Sequence, residues 1–285
     1  MRTIEQLLRY SRKRLEEKQI ERSRQVAEDI ISEALRLPRL ELYLNFDQTI
    51  DSAELRICMR LLERKMNGEP LGYLYRFIDF FQCRLEINSH ALIPRQETEI
   101  LLQNICSELR AHDLVGKEAW DICSGSGCLG LGLKKSFPHL NVTLSDISYE
   151  CVELGKKNAE RNHLEVNCYQ GDLLAPFEGK KAHIIISNPP YITEEEYTSL
   201  QPSVRDFEPK GALVSGPTGL EFYKHLAEYL PAHLHDGALL FFEIGDTQGE
   251  ALLELFSAIH YKETKIGKDW AGRDRFFYAK YEAPC

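Results

Sequence analysis

Three groups of residues combine types and spacing that serve chemistry: Asp121-Ile-Cys-Ser-Gly125-Ser-Gly127-Cys-Leu-Gly130, the lone Asp146, and Asn188-Pro189-Pro190-Tyr191. In the first, Gly125 and Gly127 permit positive φ and let the backbone approach a ligand that a Cβ would hold off. A helix opening at Cys128 offers its free N–H groups beside that turn. Asp146 lies nineteen residues past Gly127. There, at the predicted end of the next strand, a carboxylate accepts bonds from two ribose hydroxyls. Gly125, Gly127 and Gly130 also satisfy G-x-G-x-x-G, so a nicotinamide nucleotide and S-adenosylmethionine (AdoMet) are both candidate cofactors. Asp121, four residues before Gly125, favours AdoMet, because a carboxylate there orients loop amides and faces a cationic methionine end. Asp146 has a second reading as a helix N-cap before Ser148, but its strand-end place favours the ribose.

The tetrapeptide Asn188-Pro189-Pro190-Tyr191 follows the apolar run Ile184-Ile185-Ile186-Ser187. A proline-terminated strand explains one proline, but not the polar Asn, the second proline and the aromatic in register. Methyl transfer from a sulfonium is an in-line displacement, so the accepting nitrogen must aim a lone pair at the methyl carbon. In a planar NH2 group that pair is delocalised. Two acceptors binding its two hydrogens fix its orientation and favour the more nucleophilic, out-of-plane geometry. The Asn188 side-chain oxygen and the Pro189 carbonyl are the candidate acceptors. The prolines lock φ and carry no N–H, and the Tyr191 ring can cover the planar group and attract a sulfonium. Such chemistry needs no metal or strong base, since orientation alone can supply about 7–11 kcal/mol.

These residues need strand ends to hold them, and the chain provides them. Beyond about Glu97 strand-like and helix-like segments alternate. Strands are predicted at Glu118–Ile122, Asn141–Ser145, Val166–Gln170, His183–Ser187, Ala238–Ile244 and Phe276–Tyr281. Helices are predicted at Cys128–Phe137, Tyr149–Asn162, Leu220–Leu230 and Gly249–Ile259. This alternation implies a doubly wound, mostly parallel α/β sheet whose ligands sit outside the carboxyl ends of its strands. Upstream, helical stripes start at Thr3, run through Val26–Leu35 and restart at Asp51 with Glu54, implying a small bundle. That bundle either completes the main core or docks a partner. The β-prone aromatics from Leu71 to Asn88 suggest a hairpin. The division assigned is 1–75, a helical domain for substrate docking, then 76–96, a β-hairpin linker, and 97–285, the catalytic domain.

Composition narrows the field further. The 285 residues are 43% hydrophobic and 28% charged, which argues for a folded globular chain. Residues 1–75 hold 14 Lys or Arg against 13 Asp or Glu, while the remainder holds 21 against 31. That acidic balance disfavours direct nucleic-acid binding. No apolar run reaches membrane-spanning length and no signal peptide is evident. The eight scattered cysteines include no C-x-x-C pair, fitting reduced thiols in a cytoplasmic protein with no metal site. Phosphate-loop, H-E-x-x-H and G-x-S-x-G signatures are missing.

Along nearly its whole length the chain resembles the release factor glutamine methyltransferases, the HemK/PrmC family. The resemblance is carried by Gly68-Glu-Pro-Leu-Gly-Tyr73, Leu92-Ile-Pro-Arg-Gln-Glu-Thr-Glu99, Asp121 to Cys128, Ser145-Asp146-Ile-Ser148, Asn188 to Tyr191, Glu243-Ile-Gly245 with Gln248, and Gly272-Arg273-Asp274-Arg275. Asn-Pro-Pro-Tyr is common to many amino-group methyltransferases, whereas the Leu92–Glu99 stretch is more diagnostic. The resemblance implies a Rossmann-like AdoMet-dependent fold, with the cofactor against Cys123, Ser124, Gly125, Ser126 and Gly127 and with Asp146 on its ribose. It implies Leu173 beside the adenine, where the family commonly has an aromatic residue, and Asn188 beside the methyl. Cys123 stands where the family often has Gly. The substrate implied is the glutamine of the Gly-Gly-Gln motif in peptide chain release factors 1 and 2, methylated at its side-chain nitrogen and held by Asn188, Pro189, Pro190 and Tyr191. The alternative is adenine-N6 or guanine-N2 methylation of nucleic acid. Arg95, Glu97 and Glu99 are expected to shape the site, while Arg273 and Arg275 either brace the fold or touch substrate.

Overall fold

A computed structural model describes residues 3–257 and 261–284. The chain divides into two compact units, residues 1–76 and 77–285. In the first unit the amphipathic stripes become α1 (Ile4–Glu17), α2 (Ser23–Leu35), α3 (Arg39–Leu44), α4 (Ser52–Met66) and the short α5 (Leu71–Tyr75). Thr3 caps α1 by accepting the Gln6 N–H, and Asp51 with Glu54 forms a capping box on α4. Ile4, Leu7, Leu15, Ile30 and Leu62 are fully buried, so the unit has a core of its own. Leu71–Tyr75, expected to begin a hairpin, is helical instead. Pro70, with φ of -62°, starts the turn, and Arg76 ends it in the left-handed region. Aromatic content alone misled here, because proline geometry overrides a weak β preference.

The second unit opens with a true hairpin, β1 (Phe77–Phe80) and β2 (Cys83–Glu86). Its backbone is tied into this unit: the Arg84 and Glu86 amides donate to the Asn162 and Asn158 side chains, and the Phe81 amide donates to Glu99. There follow α6 (Gln96–Leu109), β3 (Glu118–Ile122), α7 (Cys128–Ser136), β4 (Asn141–Asp146), α8 (Tyr149–Arg161), β5 (Asn167–Gln170) and β6 (Ala182–Ser187). Next come β7 (Ile192–Thr193), α9 (Glu194–Ser199), α10 (Pro202–Arg205), β8 (Val214–Gly216), α11 (Glu221–Tyr229), β9 (Leu234–Glu243), α12 (Gly249–Ser257), β10 (Tyr261–Lys268) and β11 (Asp274–Tyr281). Among the described residues seven strands form one sheet in the order β10-β11-β9-β6-β3-β4-β5. The five strands from β9 to β5 run parallel, and β11 and β10 each pair antiparallel. The expected doubly wound, mostly parallel α/β sheet is present.

Alternation along the strands divides the sheet's two faces. Trp120, Ile122, Ile185, Leu240, Phe242 and Phe277 pack with Tyr223 and Leu226 of α11 and Leu252 and Phe256 of α12. Asp121 points to the other face, where α7 passes. The sequence reading missed β10, whose Lys-rich run has no regular apolar alternation. As an edge strand with its Lys and Glu side chains in solvent, it needs none, and its charges discourage pairing with a further strand. The short elements between Ile192 and Gly216 were also unforeseen, although Thr193 and Glu196 form a capping box there. The last two positions of the helix predicted over Gly249–Ile259, and Cys285, lie outside the described residues.

Trp120 is 2% exposed and stacks on Phe177 with ring centroids 3.9 Å apart. Trp120→Ala is expected to lower unfolding free energy by about 3–5 kcal/mol, read by urea denaturation. A loss below about 1 kcal/mol would show that this face of the sheet does not carry the core.

Candidate functional site

Strand register collects the site. Ile122 pairs with Ser145 on one side and with Ser187 on the other, and Ser187 pairs with Phe242. The next residue on each strand is therefore Cys123, Asp146, Asn188 or Glu243, and all four fall at one level at the carboxyl end of the sheet. The Ser187 hydroxyl donates to the Ile122 carbonyl at 2.5 Å, and the Ser124 amide to the Ser145 carbonyl at 2.9 Å, which fastens the row.

Two adjoining cavities open on this row. The larger, of about 320 Å³, is walled by Ala91, Asp146, Leu173, Asn188, Pro190 and Phe222 among others. The smaller, of about 40 Å³, lies over Thr98, Asp121, Ser124 and Ser126. Leu92, Cys123, Gly125 and Asn188 border both, so Asn188 stands where the two meet.

The glycine loop is held by two carboxylates. Asp146 Oδ2 accepts the Gly125 amide at 2.8 Å, and its Oδ1 accepts the Ser148 amide at 2.9 Å. Ser148 itself is the N-cap of α8. Each Asp146 oxygen keeps a lone pair for a ligand hydroxyl. Burial raises the Asp146 pKa, partly offset by these amides. Asp121, 1% exposed, accepts the Gly130 amide at 2.8 Å. A Cβ on Gly130 would sit 3.0 Å from that carboxylate and 2.3 Å from Leu144, so only glycine lets α7 approach so closely. Desolvation pushes Asp121 up to about 7, opposed by the Gly130 amide and reinforced by the charge of Asp146. Gly127 caps α7 with φ of 80°. Cys123 and Leu173 also hold positive φ, 60° and 43°. Both sit in the cavity wall in a conformation that side chains resist, which explains why glycine suits position 123.

Asn188 is fixed from behind. Its Nδ2 donates to Thr98 Oγ1 at 3.3 Å, and the Thr98 hydroxyl donates to Glu243 Oε2 at 2.6 Å. The Tyr191 hydroxyl donates to Glu243 Oε1 at 3.3 Å. Glu243 is 2% exposed, and burial pushes it up to about 7 against the pull of the Thr98 bond and the Arg275 charge. With its nitrogen committed to Thr98, the carboxamide turns its oxygen the other way.

The structure thus gathers Cys123, Gly125, Asp146, Leu173, Asn188 and Pro190 around the larger cavity, and Ser124 and Ser126 around the smaller. Gly127 shapes the turn without lining either. Pro189 is buried, and Tyr191 aims its hydroxyl at Glu243 rather than into the cavity. Glu97 and Glu99 lie in the first turn of α6. Arg95 pairs at 2.5 Å with Glu208, which also accepts the Ile93 amide, binding the segment before α6 to the one after α10. Arg275 braces the fold through Asp269 and the Ile244 carbonyl, whereas the Arg273 guanidinium makes an exposed pair with Asp246. Sequence reasoning missed Thr98 and Glu243 as parts of the site, although both stand in stretches that carried the resemblance. Glu208 had no local signal, because its partner is 113 residues away.

Residues 6–75 match the PrmC N-terminal domain family, and residues 94–206 match the methyltransferase small domain family. A release factor glutamine methyltransferase of Chlamydia trachomatis is 36% identical over 98% of this chain and 95% of its own. That of Geobacter sulfurreducens is 34% identical over 96% and 95%. The chain belongs to the release factor glutamine methyltransferase family. Among solved structures, a methyltransferase from Pyrococcus furiosus superposes with a TM-score of 0.52 at 18% identity, covering 78% of this chain and 98% of that one. The hMettl16 catalytic domain, in complex with a 3'UTR hairpin, gives 0.55 at 17% identity over 82% and 83%. These two likenesses establish the shared fold.

The raised pKa of Asp121 has a sign. An acid held at about 7 when folded, against 3.8 when free, contributes its stability below pH 3.8 and loses it as pH climbs to about 7. Asp121→Asn keeps an acceptor for Gly130 and is expected to flatten this decline in urea midpoints between pH 4 and 7. An unchanged slope would show that Asp121 is not the group responsible.

Proposed function

We propose that this protein transfers the methyl group of AdoMet to the side-chain amide nitrogen (N5) of the glutamine in the Gly-Gly-Gln motif of release factors 1 and 2. The observation that carries this reading is the Asn188 carboxamide. Its nitrogen is taken by Thr98, and it stands at the junction of the two cavities. An oxygen turned the other way is an acceptor, which an amide NH2 needs and a carbonyl substrate does not.

The residues present fit the cofactor. The Ser145 hydroxyl is buried in the wall of the larger cavity with no hydrogen-bond partner among the described residues. Asp146 keeps lone pairs for the ribose, and Leu173 and Pro190 offer apolar contact for the adenine. The loop from Cys123 to Gly127, with Asp121 beneath the smaller cavity, suits a cationic amino-acid end. When bound, AdoMet supplies a methyl activated by its sulfonium. The chain's own part is to orient the glutamine, through the Asn188 oxygen and the Pro189 carbonyl, with Pro190 and Tyr191 keeping the segment rigid. As the NH2 attacks, its surplus proton passes to solvent. No residue of the tetrapeptide has to accept it.

Residues 1–75 serve, in this reading, to dock the release factor. Their match to the PrmC N-terminal domain supports that use. A substrate that acts on the ribosome places the encounter in the cytoplasm, and no helix among the described residues is long and apolar enough to cross a membrane. The acidic balance of residues 76–285 weighs against nucleic acid as the methyl acceptor.

Incubation with tritium-labelled AdoMet and either release factor or RNA and DNA tests the substrate. Label is expected in the release factor alone, and label in nucleic acid alone would overturn the reading. Asn188→Ala is expected to lower kcat by roughly 100-fold or more, as when a preorganised polar partner is removed, with AdoMet binding weakened but measurable. Full turnover in that variant would contradict the orienting role. Asp146→Ala is expected to weaken AdoMet by about tenfold or more (about 1.4 kcal/mol) in calorimetric titration, and unchanged affinity would remove Asp146 from the cofactor site.

A further inference from the structure

Glu243 lies behind the tetrapeptide and borders neither of the two cavities of the site. Its two carboxylate oxygens take the Thr98 hydroxyl at 2.6 Å and the Tyr191 hydroxyl at 3.3 Å. Its own carbonyl accepts the Tyr223 hydroxyl at 2.6 Å, which pins the backbone of β9 at this point. Thr98, 1% exposed, has a single hydroxyl proton, and that proton goes to Glu243. Toward Asn188 the Thr98 oxygen can therefore only accept. An Asn carboxamide has two faces of opposite polarity, and nothing in its shape chooses between them. Here the choice is made by the direction of the hydrogen-bond chain: amide to hydroxyl, hydroxyl to carboxylate.

We infer that Thr98 and Glu243 are positioning residues, which set the polarity of the Asn188 carboxamide so that its oxygen, not its NH2, meets the amide nitrogen to be methylated. This rests on the proposed amide methylation. A reversed Asn188 would present donors to a substrate NH2 that has only donors to offer, and the pair would repel. The same carboxylate anchors Tyr191, so one buried group holds both polar ends of the tetrapeptide while Pro189 and Pro190 stiffen the link between them. Gln248, donating to the Tyr191 carbonyl at 2.8 Å and to the Gly219 carbonyl at 3.0 Å, holds the far side of the segment.

The test uses the full chain with intact release factor. Thr98→Val keeps the shape but removes the acceptor for Asn188. It is expected to lower kcat by roughly 10–100-fold, the usual cost of losing a supporting partner, while the KM for release factor stays within about twofold. Thr98→Ser restores the hydroxyl and is expected to recover most of kcat. In an Asn188→Ala background, Thr98→Val should add no further loss, because the group it orients is gone. Glu243→Met, which frees the Thr98 hydroxyl to donate toward Asn188, should reproduce the Thr98→Val defect and serves in its place if that variant folds poorly. Wild-type kcat in Thr98→Val, an equal loss in Thr98→Ser, or additive losses in the double variant would each overturn the inference. A wild-type enzyme that fails to methylate release factor would instead overturn the proposed substrate, so the two failures are distinguishable.

Discussion

Ile122 pairs with Ser145 and Ser187, and Ser187 with Phe242; everything that follows in the site depends on that alignment. A one-residue slip in any of these strands would turn its functional residue to the other face of the sheet. The register is protected by burial. Trp120, Ile122, Ile185 and Phe242 fill one face against α11 and α12, so a slip would break their packing with those helices. The core under α11 and α12 is thus what keeps Asp146 and Asn188 level with each other, although it touches neither.

Onto this row the chain places carboxylates in surroundings that penalise their charge. Asp121, Asp146 and Glu243 all have raised pKa values, each chiefly through desolvation, and each is compensated by donors it holds in place. Burial without partners would be ruinous. Here the partners are the parts that need fixing: the Gly130 amide for α7, the Gly125 amide for the glycine loop, and Thr98 and Tyr191 for the tetrapeptide. The hydrogen bonds that offset the cost of burying each acid also hold a loop or helix in place. Loops would otherwise be the mobile part of such a site.

Much of this was legible in the sequence. The glycine loop, Asp146 and Asn188 to Tyr191 were found because their chemistry is local: a turn needs glycine, a strand end needs a breaker, and both leave a mark within a few residues. The strands Glu118–Ile122 and His183–Ser187 were equally plain. β10 was not, because an edge strand bathed by solvent needs no apolar face. Leu71–Tyr75 was misread because its aromatic side chains suggested a strand while Pro70 set a helical turn. Glu208 and the Thr98–Glu243 link were invisible for another reason. Their partners lie 113 and 145 residues away, and no pattern of spacing encodes a contact made by folding. The direction of Asn188's carboxamide is the finest of these details and the one on which the chemistry turns.

Fragmentation mass spectrometry of the release-factor peptide that contains Gly-Gly-Gln, before and after incubation with enzyme and AdoMet, is the most direct measurement of the central claim. The account predicts a single added methyl on the side-chain nitrogen of that glutamine. A methyl on any other residue, or a peptide left unmodified by active enzyme, would contradict it.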